Sequence, residues 1–268
     1  MKDTNMEQVY LIDDFYGSIL FLDIKNFLGV SDILTPAETF HFTQKVIRPL
    51  ADVVLRHEGH ICQIQGDAII AIFGHLDHTM NDHAKRAVLC ALQQQDVLKE
   101  LNPVRIRQHK IPLAGRNGIC TGELFAAYSD VSGKIEYTLA GKTINIASRL
   151  QKINKRYDTN ILIDASVNAY IQKEIVTRKL DVVHLEGCSN TLPIYEVLFL
   201  HSEQQPETMR QKETYEQGLE YYFQERWEEA INCFNRIGED KASYLMLERC
   251  KKRISAPVRL SSDGKDIK

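Results

Sequence analysis

Four residues of this chain have types and spacings that could do chemistry on a phosphorylated substrate. Asp23 ends the apolar run GSILFLDI (17–24), and Asp67 sits in the Gly-Asp turn of HICQIQGDAIIAIFG (60–74). Asn145 and Arg149 lie four apart in EYTLAGKTINIASRL (136–150), so both leave one face if the stretch after Gly141 is helical. If the 60–74 hairpin pairs with the 17–24 strand, both carboxylates reach one sheet edge, where they repel unless something cationic sits between them. A pair of Mg2+ or Mn2+ ions answers that, because hard cations take oxygen ligands and bring phosphates with them. Two such ions can activate an attacking hydroxyl and stabilise the leaving oxygen of an in-line displacement at phosphorus. Each residue also has an ordinary reading. A strand-end Asp commonly caps, a Gly-Asp turn commonly joins hairpins, and a helical Arg is commonly solvated.

The elements that must position these residues can be read from periodicity. Residues 17–24 form an apolar run of the buried-strand kind. Thr35-Pro36-Ala37-Glu38 opens a helix with a capping box and Pro in the first turn. Residues 60–74 read as strand, tight turn and strand. Asp82 stands as the cap of a second helix over 83–101, and 111–128 is again strand-like. A helix after Gly141, the strand TNILIDA, a short helix near 166–173 and strands around 176–185 and 192–199 follow. The order β-α-β-β-α-β-β-α-β-α-β-β mixes hairpins with crossovers, which predicts an α+β sheet with helices on one face.

At HSEQQPETMRQ (201–211) the composition turns polar, which reads as a linker. Beyond it Gly218, Ala230 and Phe234 have the spacing of one tetratricopeptide unit, with Trp227 in its turn and residues 240–254 as a third helix. Tyr221, Tyr222, Phe223 and Trp227 read as helix-packing core. One repeat cannot bury its apolar face alone, so a protein partner through these helices is an expectation. The divisions are a lead over 1–14, a catalytic domain over 15–200, the linker, a helical extension over 212–256 and a disordered tail over 257–268.

Composition excludes several classes. The chain has 268 residues, 44% hydrophobic and 26% charged, enough for a packed core. Net charge is −3 and the longest basic run is Lys251-Lys252-Arg253, so no nucleic-acid partner is expected. Six cysteines without CxxC spacing read as thiols of a reducing compartment. No apolar run approaches the length of a membrane span, and the N-terminus lacks the apolar core of a signal peptide, so a cytoplasmic location is expected. His75, His78 and His83 cluster loosely and read as a solvated loop rather than a metal site.

Taken together, FLDIKNF, IQGDAIIAIFG and EYTLAGKTINIASRL, in this order, resemble the class III nucleotidyl cyclase catalytic domain over residues 15–200. TNILID and LEGCSNTLPIYEV look like that family's later strands, and the helical tail resembles the extension of many bacterial members. The resemblance implies a ferredoxin-like, palm-type sheet with helices, plus a small all-α C-terminal extension. It implies that Asp23, Asp67 and the carbonyl of Ile24 bind two divalent metals. Lys25, Asn26 and Phe27 would lie along the triphosphate, Asn145 would orient the ribose, and Arg149 would stabilise charge on the α-phosphate. It also implies a homodimer with each site shared between subunits. ATP is the first expectation for substrate, ahead of CTP or UTP and then GTP. A non-enzymatic module that binds nucleotide or a partner is the alternative.

The chain departs from the family pattern in the base and phosphate contacts. Gln63 stands where the family's base-contacting lysine falls, and its partner position is Thr138. The family's later phosphate lysine is absent from Leu185-Glu186-Gly187-Cys188, leaving Lys25 or Lys142 to compensate. The glycine-rich turn after the TGE triplet is replaced by LFAAYSD.

Overall fold

The computed structural model describes residues 8–25, 27, 29, 34–74, 81–131, 134–185, 191–203 and 205–255. Their elements run β1 (Gln8–Ile24), α1 (Pro36–Arg56), β2 (His60–Gln65), β3 (Ala68–Phe73), α2 (His83–Arg107), β4 (Gly115–Val131), β5 (Lys134–Ala140) and α3 (Lys142–Tyr157). Then come β6 (Ile161–Asp164), α4 (Ala165–Ile171), β7 (Ile175–His184), β8 (Thr191–Leu200), α5 (Pro206–Phe223), α6 (Trp227–Phe234) and α7 (Lys241–Ser255). The chain divides into compact units at residues 203 and 204. The alternation expected for the first unit is the one found.

Its sheet has the order β2-β3-β1-β4-β6-β8-β7, with β5 paired to β4. The β4–β6 pair is parallel and the others are antiparallel. Side chains alternate across β1, so Leu20, Leu22 and Ile24 enter one core while Phe15 and Ile19 enter another. The first core lies under α1, α2 and α4, which supply Leu50, Val88 and Val167 among others. The second lies under α3, through Ala147.

Helices therefore cover both faces, which corrects the one-face expectation. Gly118 is the physical reason. A Cβ at this position of β4 would collide with the Ala147 carbonyl oxygen and the Gln151 amide nitrogen, so only glycine lets α3 lie against the strand. Gly118→Ala should cost about 3 kcal/mol by overpacking. That is a fall of roughly 6–12 °C in Tm for a domain of this size, read by thermal unfolding.

Thr35 caps α1 with the expected reciprocal box: its Oγ1 accepts from the Glu38 N–H at 3.3 Å, and the Glu38 carboxylate accepts from the Thr35 N–H at 2.9 Å. Asp82 occupies the N-cap position of α2 but caps nothing; its carboxylate instead accepts from Arg86 Nε at 2.8 Å. β1 begins at Gln8, not at residue 17, because β4 runs on to Val131 and pairs with it from Gln8↔Asp130 onward. Part of the 1–14 lead is thus strand, and so is the glycine-free LFAAYSD segment. His83 is 3% exposed and hydrogen-bonded through Nδ1 to Ser18 Oγ, so it is a core residue rather than a loop one. His75 and His78 lie outside the described residues. The five described cysteines are free thiols.

In the second unit α5 begins at Pro206, so residues 206–211 are helical rather than linker; their polarity is that of a solvated first turn with Pro at its start. Gly218 lets α6 approach α5, since a Cβ there would stand 3.0 Å from Cys233 Cβ. Tyr215 and Phe234 pack edge to face beside it at 5.3 Å. These two rings are buried with Leu219, Ala230, Met246 and Cys250, whereas Phe223, expected inside, is 48% exposed. Tyr222 and Trp227 pack edge to face at 5.2 Å across the turn. The 257–268 tail lies outside the described residues.

Candidate functional site

Asp23 and Asp67 meet at one end of the interior strands β1 and β3. The turn joining β2 to β3 has two residues, and Gly66 supplies the positive φ (+60°) it needs. Because β3 pairs with β1 through Leu22↔Ile69, the turn brings Asp67 beside the end of β1, where its Oδ2 accepts from the Ile24 N–H at 3.3 Å. Burial, and then the Asp67 carboxylate, push the Asp23 carboxyl up to about 6, against the pull of Arg116 and Gln151. Arg116 is the cross-strand neighbour of Asp23 on β4, and Gln151 of α3 donates to Asp23 Oδ2 at 3.2 Å.

This donor set fits a hard divalent cation. Two carboxylates that resist being charged together would be relieved by one, and two such ligands leave coordination positions for water and phosphate oxygens. No cluster of three or more His, Cys, Asp or Glu side chains able to hold a metal occurs among the described residues.

The raised carboxyl has a measurable consequence. The folded chain holds a proton on Asp23 that the unfolded chain releases near 3.8. Its contribution to stability is therefore full below 3.8 and is lost as pH rises through about 6. Metal-free protein should lose stability across that window relative to Asp23→Asn. Mn2+ competes with the proton, so the rise in Tm it gives should be larger at neutral pH than at pH 5. Thermal unfolding against pH, with and without Mn2+, reads both effects.

Asn145 and Arg149 project from a different side of α3. Thr143, Ala147, Leu150, Asn154 and Tyr157 form its buried stripe. Asn145 is exposed and Arg149 half-buried. Arg149 is two residues from Gln151, roughly 200° around the helix, so the side of α3 that reaches Asp23 is not the side that carries Arg149.

The remaining expected residues are dispersed. Lys25 pairs with Asp158 at 3.2 Å, just past the end of α3, and its N–H donates to the Ala114 carbonyl. Phe27 stacks on Phe42 of α1 at 6.0 Å. Gln63 on β2, Thr138 on β5 and Lys142 in the first turn of α3 are all exposed. A cavity of about 860 Å3 opens beside that turn, lined by Tyr16, Glu123 and Lys142 among others. Asn26 and Glu186 lie outside the described residues.

Sequence reasoning missed the support beneath the site. Asn117 on β4 accepts from Gln95 Nε2 at 2.7 Å and donates to Gln94 Oε1 at 2.9 Å, and Gln94 in turn donates to the Leu50 carbonyl of α1. On the other face Asn154 Nδ2 donates to the Asn117 carbonyl at 2.9 Å. This network ties α1, α2, β4 and α3 through Asn117, the residue after Arg116. Three successive glutamines in the apolar pattern of α2, and an arginine inside an apolar strand, were the available signals.

Residues 16–200, more than half of the chain, match the adenylate and guanylate cyclase catalytic domain. The chain belongs to this family. The cyclase chain is 30% identical over 179 residues to adenylate cyclase 1 of Rhizobium meliloti (strain 1021), covering 67% of this chain but 27% of that relative. It is 27% identical over 148 residues to a cytidylate cyclase of Escherichia coli, covering 52% of this chain and 32% of that protein. It thus spans only about a quarter to a third of these curated relatives. Among solved structures, the adenylyl cyclase CyaB from P. aeruginosa matches with TM-score 0.63 at 23% identity, over 74% of this chain and 98% of that one. The guanylyl cyclase Cya2 matches with TM-score 0.64 at 25% identity, over 74% and 97%. The family generally uses divalent metals. Among the described residues no helix is long and apolar enough to cross a membrane.

Proposed function

We propose that this domain converts a nucleoside triphosphate, ATP foremost, to the 3′,5′-cyclic nucleotide and pyrophosphate, in sites completed by a second copy of the chain. The observation that carries the reading is the Asp23–Asp67 pair set on one side of α3 while Asn145 and Arg149 leave another. With the two pairs on different sides of that helix, a two-fold related copy would present its Asn145 and Arg149 to the first chain's carboxylates, and the reverse.

Asp23, Asp67 and the Ile24 carbonyl would hold two Mg2+ or Mn2+ ions. When bound, these ions supply Lewis-acid charge at the attacking 3′-oxygen and the leaving phosphate. Arg149 stabilises the charge that grows on the α-phosphate, and Asn145 holds the ribose so that its 3′-hydroxyl lies in line. Lys25, Asn26 and Phe27 follow the triphosphate, with Lys142 as a further phosphate contact. Lys25 starts from an ion pair with the exposed Asp158, a weak tie that a triphosphate can outcompete.

Gln63 and Thr138 would read the base. Gln63 has a donor and an acceptor where a lysine has donors only, which suits an adenine edge and equally a pyrimidine edge. That substitution supports a second reading, a cytidylate or uridylate cyclase of antiphage defence. The α5–α7 unit is read as a tetratricopeptide-like partner-binding extension, and the protein as cytoplasmic.

Purified protein with Mn2+ is offered ATP, GTP, CTP and UTP separately, and products are identified by mass spectrometry. Dominant cyclic AMP supports the first reading and a cyclic pyrimidine the second. No cyclic product from a chain that is dimeric in solution would overturn both and leave a nucleotide-binding or partner-binding module.

A further inference from the structure

Behind the candidate active site, on the face of the sheet opposite α3, α1 and the C-terminal end of α2 enclose a second cavity of about 330 Å3. Its floor is apolar, built from Phe42, Leu101 and Leu113. Its rim carries three cations, Lys45, Arg105 and Lys110, against one carboxylate, Glu100. None of the three cations has a carboxylate within ion-pair distance among the described residues. Arg105 is the most constrained. Its guanidinium lies over the Phe42 ring at 5.0 Å, and its Nε donates to the Ile111 carbonyl at 2.9 Å. That fork is thus anchored at one nitrogen, with its terminal nitrogens left for another acceptor. Partial burial also holds Arg105 below its usual pKa.

An apolar pocket of this size with a cationic rim selects a small ligand with one apolar body and one negative head. The head meets Arg105, Lys45 and Lys110, and the body lies along Phe42 and Leu101. A neutral apolar ligand would offer no acceptor to the terminal nitrogens of Arg105, and a small hydrophilic anion would leave the floor unfilled.

The pocket wall also contacts the segment proposed above to follow the triphosphate. Phe42 forms part of its floor and is the ring on which Phe27 stacks. Leu113 forms another part, and the next residue, Ala114, accepts a 2.7 Å hydrogen bond from the Lys25 N–H. Two contacts therefore run from the pocket wall to residues 25 and 27, which directly follow Asp23.

We infer that this cavity is a regulatory site for a small amphipathic carboxylate, whose occupancy is passed through Phe42 and Ala114 to the Lys25–Phe27 segment. The binding half stands on the pocket alone, while the regulatory half rests on the cyclase reading given above.

The test is a calorimetric titration of the full chain with octanoate, with octanol and acetate as controls. Octanoate should bind at millimolar concentration or below, and octanol and acetate each about tenfold or more weaker. Lys45→Gln and Lys110→Gln change exposed side chains, so both should keep the wild-type Tm while weakening octanoate about three- to fivefold each. Val104→Trp, at a half-exposed position on the pocket wall, should fill the cavity and abolish binding. Equal binding of octanol and octanoate, indifference to both lysine variants, or no heat with octanoate would overturn the site.

Hydrogen exchange reads the coupling. Exchange of the Lys25 amide should slow when octanoate is bound, and an unchanged rate at saturation would overturn the regulatory half. The calorimetry needs no catalysis, so a chain that binds octanoate but cyclises no triphosphate would refute the proposed function and leave the site standing.

Discussion

Asp23→Ala and Asn145→Ala chains, each inactive alone, should regain about a quarter of the wild-type cyclase rate when unfolded together in equal amounts and refolded. Random pairing makes half of the dimers mixed, and each mixed dimer carries one intact site and one doubly damaged one. The expectation follows from α3. Its buried stripe and Gln151 face the sheet and Asp23, while Asn145 and Arg149 leave from elsewhere on the helix. A site built within one chain would give no recovery, because every chain in the mixture would still lack one essential group. Absence of recovery in a mixture shown to contain mixed dimers would therefore refute the shared site. The Asp23→Ala homodimer also serves as the metal control. It should lose the pH-dependent stabilisation by Mn2+, whereas Asn145→Ala should keep it.

Arg149→Ala should lower kcat by about two to three orders of magnitude while leaving KM within a few-fold. A guanidinium aimed at charge that develops only during the displacement contributes to the transition state more than to substrate binding. Arg149→Lys should restore part of the loss, since it keeps the charge but not the planar fork. Arg149 lies outside the buried stripe of α3, so any fall in Tm should be small beside the loss of kcat in both variants. A rise in KM with kcat unchanged would mean that Arg149 binds the ground state and does not act on the reacting phosphate. A matching fall in Tm would mean instead that it supports the fold.

Much of the architecture was legible because it is local. The capping box at Thr35, the Gly66-Asp67 turn and the shared helix face of Asn145 and Arg149 are set by residues within a few positions of one another. They formed as short-range rules require. The seeming exceptions had non-local causes. Residues 8–14 carry a weak strand pattern and became strand because β4 extends far enough to pair with them. His83 reads as a loop histidine until Ser18, sixty-five residues away, supplies its hydrogen bond. Asp82 stands where a cap belongs, but Arg86 offered its carboxylate a charged partner.

The candidate site divides along the same line. The sequence supplied Asp23, Asp67, Asn145 and Arg149 as candidates and the motifs that carry the family resemblance, because each motif is a contiguous segment. Tertiary structure decided how they are arranged. It placed Asp67 against the Ile24 amide, set Arg116 and Gln151 beside Asp23, and put Asn145 and Arg149 on a side of α3 other than the one whose Gln151 reaches Asp23. It also laid α3 on the face opposite the other sheet-packing helices, where Gly118 leaves the strand bare. None of this lies in a local pattern, because sheet pairing and close approach join residues distant in sequence. A one-residue change of register would have carried every side chain of a strand to the other face.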